Sequence, residues 1–255
     1  MSKVYAIANQ KGGVAKTTSA RNLATNLANA GHRVIALDLD PQGDLTIAFG
    51  ENPDQLGKHA YHLLIEDDTT VPDVLMYRSE HKVALIPTNI DLSGAESDII
   101  SDPTLSTSIL RTKLQPYREK VDYIIIDCPP SLGVLTVAAL TAADGVIIPC
   151  QTQYLSYRGL YKLKHTIKKV QTRLNPELVI TAIFPTMYDA RNNHDREILE
   201  ELRTNYRDVL IDIPVPRQTL VADSISSYVS IEELDAHSPA AQAYKKIAEV
   251  IDAKK

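Results

Sequence analysis

Short apolar runs rich in Val and Ile recur along the chain, at residues 4–8, 34–37, 83–86, 123–126, 146–148, 179–184 and 209–213. Their apolarity is continuous rather than alternating, which predicts strands covered on both faces, as in a parallel sheet. Between them, residues 16–30, 103–117, 132–142, 155–174 and 195–206 read as helices, and residues 239–253 as a terminal one. Strands alternating with helices predict an α/β fold, a single domain over residues 1–255 built on a doubly wound, mostly parallel β-sheet flanked by helices. Gly31 is expected to cap the first helix, and Pro103 and Pro239 to stand near helix starts. Residues 51–83 are the least regular part and receive no assignment.

The chain of 255 residues is 44% hydrophobic and 23% charged, an ordinary globular balance that excludes disorder, collagen and coiled coil. No apolar run approaches the roughly 18 residues of a membrane span. Cys128 and Cys150 lie inside apolar runs, which favours buried free thiols and a cytoplasmic protein over a disulfide framework. The net charge of −5 gives no general attraction to polyanions, but its distribution is uneven. Residues 145–176 contain no acid and six cations: Arg158, Lys162, Lys164, Lys168, Lys169 and Arg173. Leu160, Leu163, Ile167, Val170 and Leu174 recur at helical spacing in the same segment, so one stripe is expected to pack and another to be basic. Most such charge runs are merely solvated faces; the missing acids favour a local polyanion contact.

Directly after the first strand comes Asn9-Gln10-Lys11-Gly12-Gly13-Val14-Ala15-Lys16-Thr17-Thr18, opening a helix. Glycines allow the backbone N–H groups to turn toward a phosphate chain, and the helix N-terminus adds partial positive charge. Lys16 is placed to reach β and γ phosphates, and the Thr17 hydroxyl to bind Mg²⁺. A glycine turn alone would be weak; two acids at strand ends strengthen it. Asp38-Leu39-Asp40-Pro41-Gln42-Gly43 closes the second strand, and Asp127-Cys128-Pro129-Pro130 closes a later one. Open sheets bind ligands at these carboxyl ends, and an Asp there suits direct or indirect Mg²⁺ ligation. Either Asp read alone could equally cap a turn.

Lys11 through Thr18 resembles the deviant Walker A box of the ParA/MinD superfamily of P-loop ATPases, in which a second, signature lysine precedes the glycines. Asp38–Gly43 resembles its switch I and Asp127–Pro130 its switch II. The likeness runs nearly end to end, through Pro149, Arg158-Gly159-Leu160, residues 186–191 and Pro216-Arg217, in the order of short, Soj-like ParA proteins. The resemblance implies a homodimer closing around two ATP molecules, with Lys11 of each subunit reaching phosphates held by the other. It further implies that Asp40 positions the attacking water, that Asp38 and Asp127 organise the Mg²⁺ shell with Thr17, and that the loop carrying Pro214, Pro216 and Arg217 lies near the adenine. Arg191 and Arg217 fall where such proteins carry arginines implicated in DNA binding without sequence preference.

A nucleoid-associated partner of double-stranded DNA, with an adaptor protein of ParB type that stimulates hydrolysis, is therefore expected. Three positions depart from the family: Ala15 and Asp44 stand where Gly and Asn are common, and Gln153 where Glu is common. A β-carbon at position 15 is harmless only if that residue avoids positive φ. Residues 218–230 and 236–239 also differ from the family pattern. Two neighbouring functions fit less well. An iron–sulfur protein needs cluster cysteines, whereas Cys128 and Cys150 read as packing residues. A MinD-like membrane-associated ATPase is the alternative, but residues 244–255 read as a helix packed on the domain, so no membrane contact is expected. No helix-turn-helix precedes Lys3, so operator-specific binding is not expected either.

Overall fold

The apolar runs form strands because each can bury both faces between helical layers. The computed structural model describes residues 2–77, 81–102 and 105–254. Its strands are β1 (Lys3–Ile7), β2 (Val34–Asp38), β3 (Met76–Tyr77), β4 (Val83–Ile86), β5 (Tyr123–Asp127), β6 (Gly145–Gln151) and β7 (Val179–Thr186). They form one sheet in the order β3-β4-β2-β5-β1-β6-β7, parallel throughout except for the two-residue edge strand β3. Every residue of β2, β5 and β6 is buried.

Alternate residues of the central strands feed two cores. Val4, Ala6, Ile124 and Ile126 pack beneath Leu92, Leu110, Leu135, Leu160 and Leu163, whereas Tyr5, Ile7, Tyr123 and Ile125 face Leu23, Leu27, Tyr244 and Ile247. The second core joins the helix after β1, Lys16–Asn29, to the last helix, Pro239–Asp252. Gly31 adopts φ +96°, a conformation open to glycine, and its N–H bonds the Ala28 carbonyl to end the first helix. Pro239 follows the Ser238 cap, whose hydroxyl accepts the Ala241 N–H.

The structure departs from the sequence-based expectations in several places. Residues 209–213 are not a strand: Leu210 makes an isolated bridge to Ile183, and ladder growth is interrupted by prolines at 185, 214 and 216, which lack N–H donors. The helix expected over 103–117 is a helix at Ile109–Leu114 followed by a 3-10 turn at Gln115–Tyr117; its expected start, Pro103, lies outside the described residues. Leu92–Ser101 is an additional helix whose buried positions, Leu92, Ala95 and Ile99, follow the helical period among Ser, Gly and acidic residues. Leu174 is 40% exposed, because the helix Tyr154–Arg173 ends before it, so it does not extend the packed stripe. Residues 51–83 fold as short pieces: a 3-10 turn at Pro53–Gln55, helices Ala60–Ile65 and Val71–Val74, and β3.

Candidate functional site

Parallel register aligns the candidate acids. Ile7 pairs with Asp127 and Asp127 with Asp38, so β1, β5 and β2 finish level and deliver their loops to one end of the sheet. Cross-strand bonds hold the exits, Leu39 N–H to the Asp127 carbonyl at 3.0 Å and Cys128 N–H to the Ile7 carbonyl at 3.2 Å. The glycine loop is anchored behind by Thr186, whose hydroxyl donates to the Val14 carbonyl at 3.1 Å. Asn9 fixes its stem, donating to the Pro149 carbonyl at 2.8 Å and accepting the Lys11 N–H at 3.1 Å.

Within the loop, Gly13 has φ +69° and Ala15 φ +67°. The first is open to glycine. The second forces a β-carbon into the left-handed region and costs about 1–2 kcal/mol, so the departure at position 15 is a strained one. The helix then begins at Lys16, which is 7% exposed, and the Ser19 hydroxyl donates to the Ala15 carbonyl at 2.6 Å.

The two strand-end acids differ in partnership. Asp38 is fully buried and accepts from the Thr46 N–H at 2.8 Å, the Thr46 hydroxyl at 2.7 Å and the Asp40 N–H at 3.2 Å. Burial nonetheless pushes its carboxyl up to about 7, against the Thr46 and Asp40 hydrogen bonds. Asp127 is equally buried, yet neither of its carboxyl oxygens has a hydrogen-bond partner among the described residues. Burial and then the neighbouring Asp38 hold it well above the carboxylate range, while the Thr17 hydroxyl and Lys16 pull the other way. Asp40, 8% exposed, is also raised by burial, with the Gln42 N–H and Lys16 opposing.

An orphaned buried carboxyl beside a hydroxyl and an ammonium fits a hard divalent cation. Thr17 and Asp127 could supply its protein oxygens, with Asp38 behind them, bonded to Thr46 and to the Asp40 N–H. Among the described residues no cluster of three His, Cys, Asp or Glu side chains forms a metal cage. Cys128 and Cys150 are buried and free; burial pushes both thiols up, Cys150 to about 12.

Lys11 opens the same glycine loop as Lys16 but turns its side chain to β6. Its ammonium donates to Gln151 Oε1 at 3.0 Å and Gln153 Oε1 at 2.9 Å, at the end of β6. Sequence reasoning misses Gln151, Thr46, Asn9 and Thr186 as positioning residues; the only signal for Gln151 is its polar character closing an apolar strand. The segment at Pro214, Pro216 and Arg217 joins the same neighbourhood through β7: Val215 N–H bonds the Pro185 carbonyl at 2.9 Å, and Tyr188 N–H the Val215 carbonyl at 3.0 Å.

The basic helix behaves as its pattern requires. Leu160, Leu163, Ile167 and Val170 are buried, whereas Arg158, Lys162, Lys164, Lys168, Lys169 and Arg173 are exposed and form no ion pair among the described residues. Tyr154, Leu155 and Tyr161 are exposed on its first turns. Arg191 is exposed but not free, gripping Asp189 through Nε at 2.9 Å and Nη2 at 2.7 Å. That contact, with lesser help from the exposed Arg217, holds the Asp189 carboxyl down at about 2.

A family model described as an AAA domain matches residues 2–180. The chain is 39% identical to the sporulation initiation inhibitor protein Soj of Bacillus subtilis, over 99% of both chains. It is 38% identical to the chromosome partitioning protein ParA of Caulobacter vibrioides, over 96% of this chain and 92% of the relative. Among solved structures, cobyrinic acid a,c-diamide synthase from Mycobacterium smegmatis with bound ADP and magnesium superposes with a TM-score of 0.84. It is 37% identical, with 98% of this chain and 93% of that one covered. The full-length likeness to Soj and ParA coincides with a glycine loop carrying Lys11 and Lys16 and two level strand-end acids, and the chain belongs to the ParA/Soj family of P-loop ATPases.

Proposed function

We propose that this chain is an ATP-driven switch that self-associates around two ATP molecules, binds duplex DNA without sequence preference, and positions or segregates a cargo. An adaptor protein of ParB type stimulates its hydrolysis, and the protein works in the cytoplasm on the nucleoid. The observation that carries the reading is the pairing of an orphaned, buried Asp127 with a helix-opening Lys16 at the end of the sheet. Support comes also from the partitioning role named for the Caulobacter relative and the ADP and magnesium named for the Mycobacterium structure.

Each residue then has a task. The backbone from Gly12 to Thr17 cradles the triphosphate, Lys16 balances its β and γ oxygens, and Lys11 approaches phosphates held by the partner subunit. Mg²⁺, when bound, would offset the negative charge of the triphosphate. Thr17 and Asp127 would hold it, Asp38 holds Thr46 and the Asp40 backbone in place, and Asp40 orients the attacking water. The segment at Pro214, Pro216 and Arg217 borders the adenine.

DNA binding is local, through Arg158, Lys162, Lys164, Lys168, Lys169, Arg191 and Arg217, since an overall charge of −5 supplies no attraction. Self-association doubles this basic surface. The apolar face of the last helix favours this reading over the membrane one: Ala240, Tyr244, Ile247 and Ile251 are spent on the core. No described helix is long and apolar enough to cross a membrane.

Titration of two unrelated duplexes at several salt concentrations, with anionic liposomes alongside, tests the proposal. The ATP-bound dimer is expected to bind both duplexes alike. Arg191→Ala or Arg217→Ala should flatten the logarithmic salt dependence by about 0.9 for each DNA phosphate that the arginine neutralises. Preferential recruitment to liposomes would overturn the proposal.

A further inference from the structure

Lys11 is held in an unusual way for a cation beside a phosphate site. Its two side-chain acceptors are neutral amides, and no carboxylate pairs with it among the described residues. The acceptors stand two residues apart at the end of β6, and the Gln153 N–H bonds the Gln151 carbonyl at 2.7 Å, a tight turn that brings both amides to one ammonium. Gln151 is 6% exposed and Gln153 is exposed, so one arm of the grip is rigid and the other reachable from solvent.

Gln153 is also the N-cap residue of the helix Tyr154–Arg173, which has no acid in its first turn. The ammonium therefore sits by the positive end of a twenty-residue helix dipole, with Arg158 only one turn further. Its surroundings hold Lys11 by directional bonds while their electrostatics favour its departure toward any concentrated negative charge. The backbone does not have to follow: Asn9 secures the Lys11 N–H independently of the side chain.

We propose that Gln151 and Gln153 form a neutral clamp that parks Lys11 on β6, and that transfer of the ammonium from these amides to phosphate oxygens couples ATP to self-association. This rests on the switch reading above and assigns two positioning residues within it. Neutrality sets the ATP requirement: a carboxylate at position 153, where the family commonly carries Glu, would keep the lysine longer by charge, and a missing amide would release it.

The clamp is tested in two arms. In protein without nucleotide, Lys11 modification by a small amine-reactive acetylating reagent is followed by peptide mass spectrometry. Gln153→Ala is expected to label about tenfold faster than wild type, as follows from removing one hydrogen bond to a charged group, and Gln153→Glu more slowly. In the second arm, the ATP concentration giving half-maximal self-association is read by light scattering. Gln153→Ala should lower it and Gln153→Glu raise it about fivefold, the latter shift shrinking with added salt.

Opposite signs support the clamp. Equal labelling of Lys11 in all three proteins would overturn it. So would a rise in the ATP requirement for both variants, the signature of a residue that merely touches nucleotide. The arms separate the two readings: if wild type fails to self-associate with ATP, the switch reading falls, while the labelling arm still decides whether the amides hold Lys11.

Discussion

The two ends of the sheet are built on opposite rules. At the amino ends, carboxylates are matched: Asp144 accepts the Val4 N–H at 2.8 Å and the Arg118 guanidinium at 2.5 and 2.7 Å. Asp122 takes Arg33 through two nitrogens at 3.1 Å, and Asp252 takes the Tyr123 hydroxyl at 2.5 Å and faces His32 at 3.0 Å. At the carboxyl ends Asp127 has no hydrogen-bond partner among the described residues, Asp38 is raised despite its partners, and Ala15 is strained. Because the same strands run through both ends, packing does not explain the difference. The matched end stabilises the sheet and holds the unmatched end in a geometry it would not choose alone.

The largest effect that separates the ends concerns ligand binding. Lys16→Ala should weaken ATP binding at least ~100-fold by calorimetry, since a buried charge-assisted contact to phosphate contributes about 3 kcal/mol. Lys11→Ala should leave monomer affinity within about threefold yet abolish ATP-dependent self-association, because its ammonium is parked on β6. A stable ATP-dependent dimer of Lys11→Ala in light scattering would contradict that division of labour.

Next in size, Asp144→Ala should cost about 2 kcal/mol in denaturant unfolding while leaving ATP affinity unchanged. Among the described residues it takes the only carboxylate from Arg118, whose side chain is 14% exposed and keeps just the Ser2 carbonyl at 3.1 Å, and it orphans the Val4 N–H. A parallel drop in ATP affinity would mean that the two ends are not separable.

Relief of strain should act with the other sign. Ala15→Gly is expected to stabilise the fold by about 0.5–1 kcal/mol, the left-handed penalty less the extra freedom of glycine in the unfolded chain. Ala15→Val should destabilise it, and calorimetric unfolding of the pair tests both.

The smallest effect at neutral pH belongs to Tyr5. Burial, then Asp144 and Asp252, push its hydroxyl up to about 12 from an ordinary 10. The folded state therefore holds this proton more tightly than the unfolded chain. The resulting stability is complete below pH 10 and is lost as pH rises toward 12. Tyr5→Phe should flatten that alkaline decline in pH-dependent melting, whereas Asp144→Ala should only soften it.

The difference between the ends also explains what can be read from sequence. Val- and Ile-rich strands buried on both faces announce themselves by composition, and the loop from Lys11 to Thr18 by spacing, since phosphate chemistry allows few alternatives. The pattern places β1 and β2 to within a residue or two, but the run at 209–213 misleads because apolarity does not reveal that Pro185, Pro214 and Pro216 interrupt the ladder. Leu92–Ser101 is hidden by small and polar residues that tertiary packing tolerates on its outer face. Gln151 and Thr46 are invisible for another reason: a side chain that positions a functional group has no composition of its own, only a partner brought close by the fold.

The strand order carries a consequence for how the protein is made. Of the described strands β1 is made before the others, yet it lies between β5 and β6, and its last residue, Ile7, pairs with Asp127 roughly 120 residues later. At ~5–20 residues per second that is a wait of roughly 6–24 s, during which the strand feeding the glycine loop has both edges open. The loop anchor is later still, because Thr186 must arrive before Val14 is held. A nascent chain that lacks Thr186 lacks this anchor, so nucleotide is expected to stabilise the protein only after β7 has emerged, which ATP protection of stalled chains of graded length against proteolysis would check.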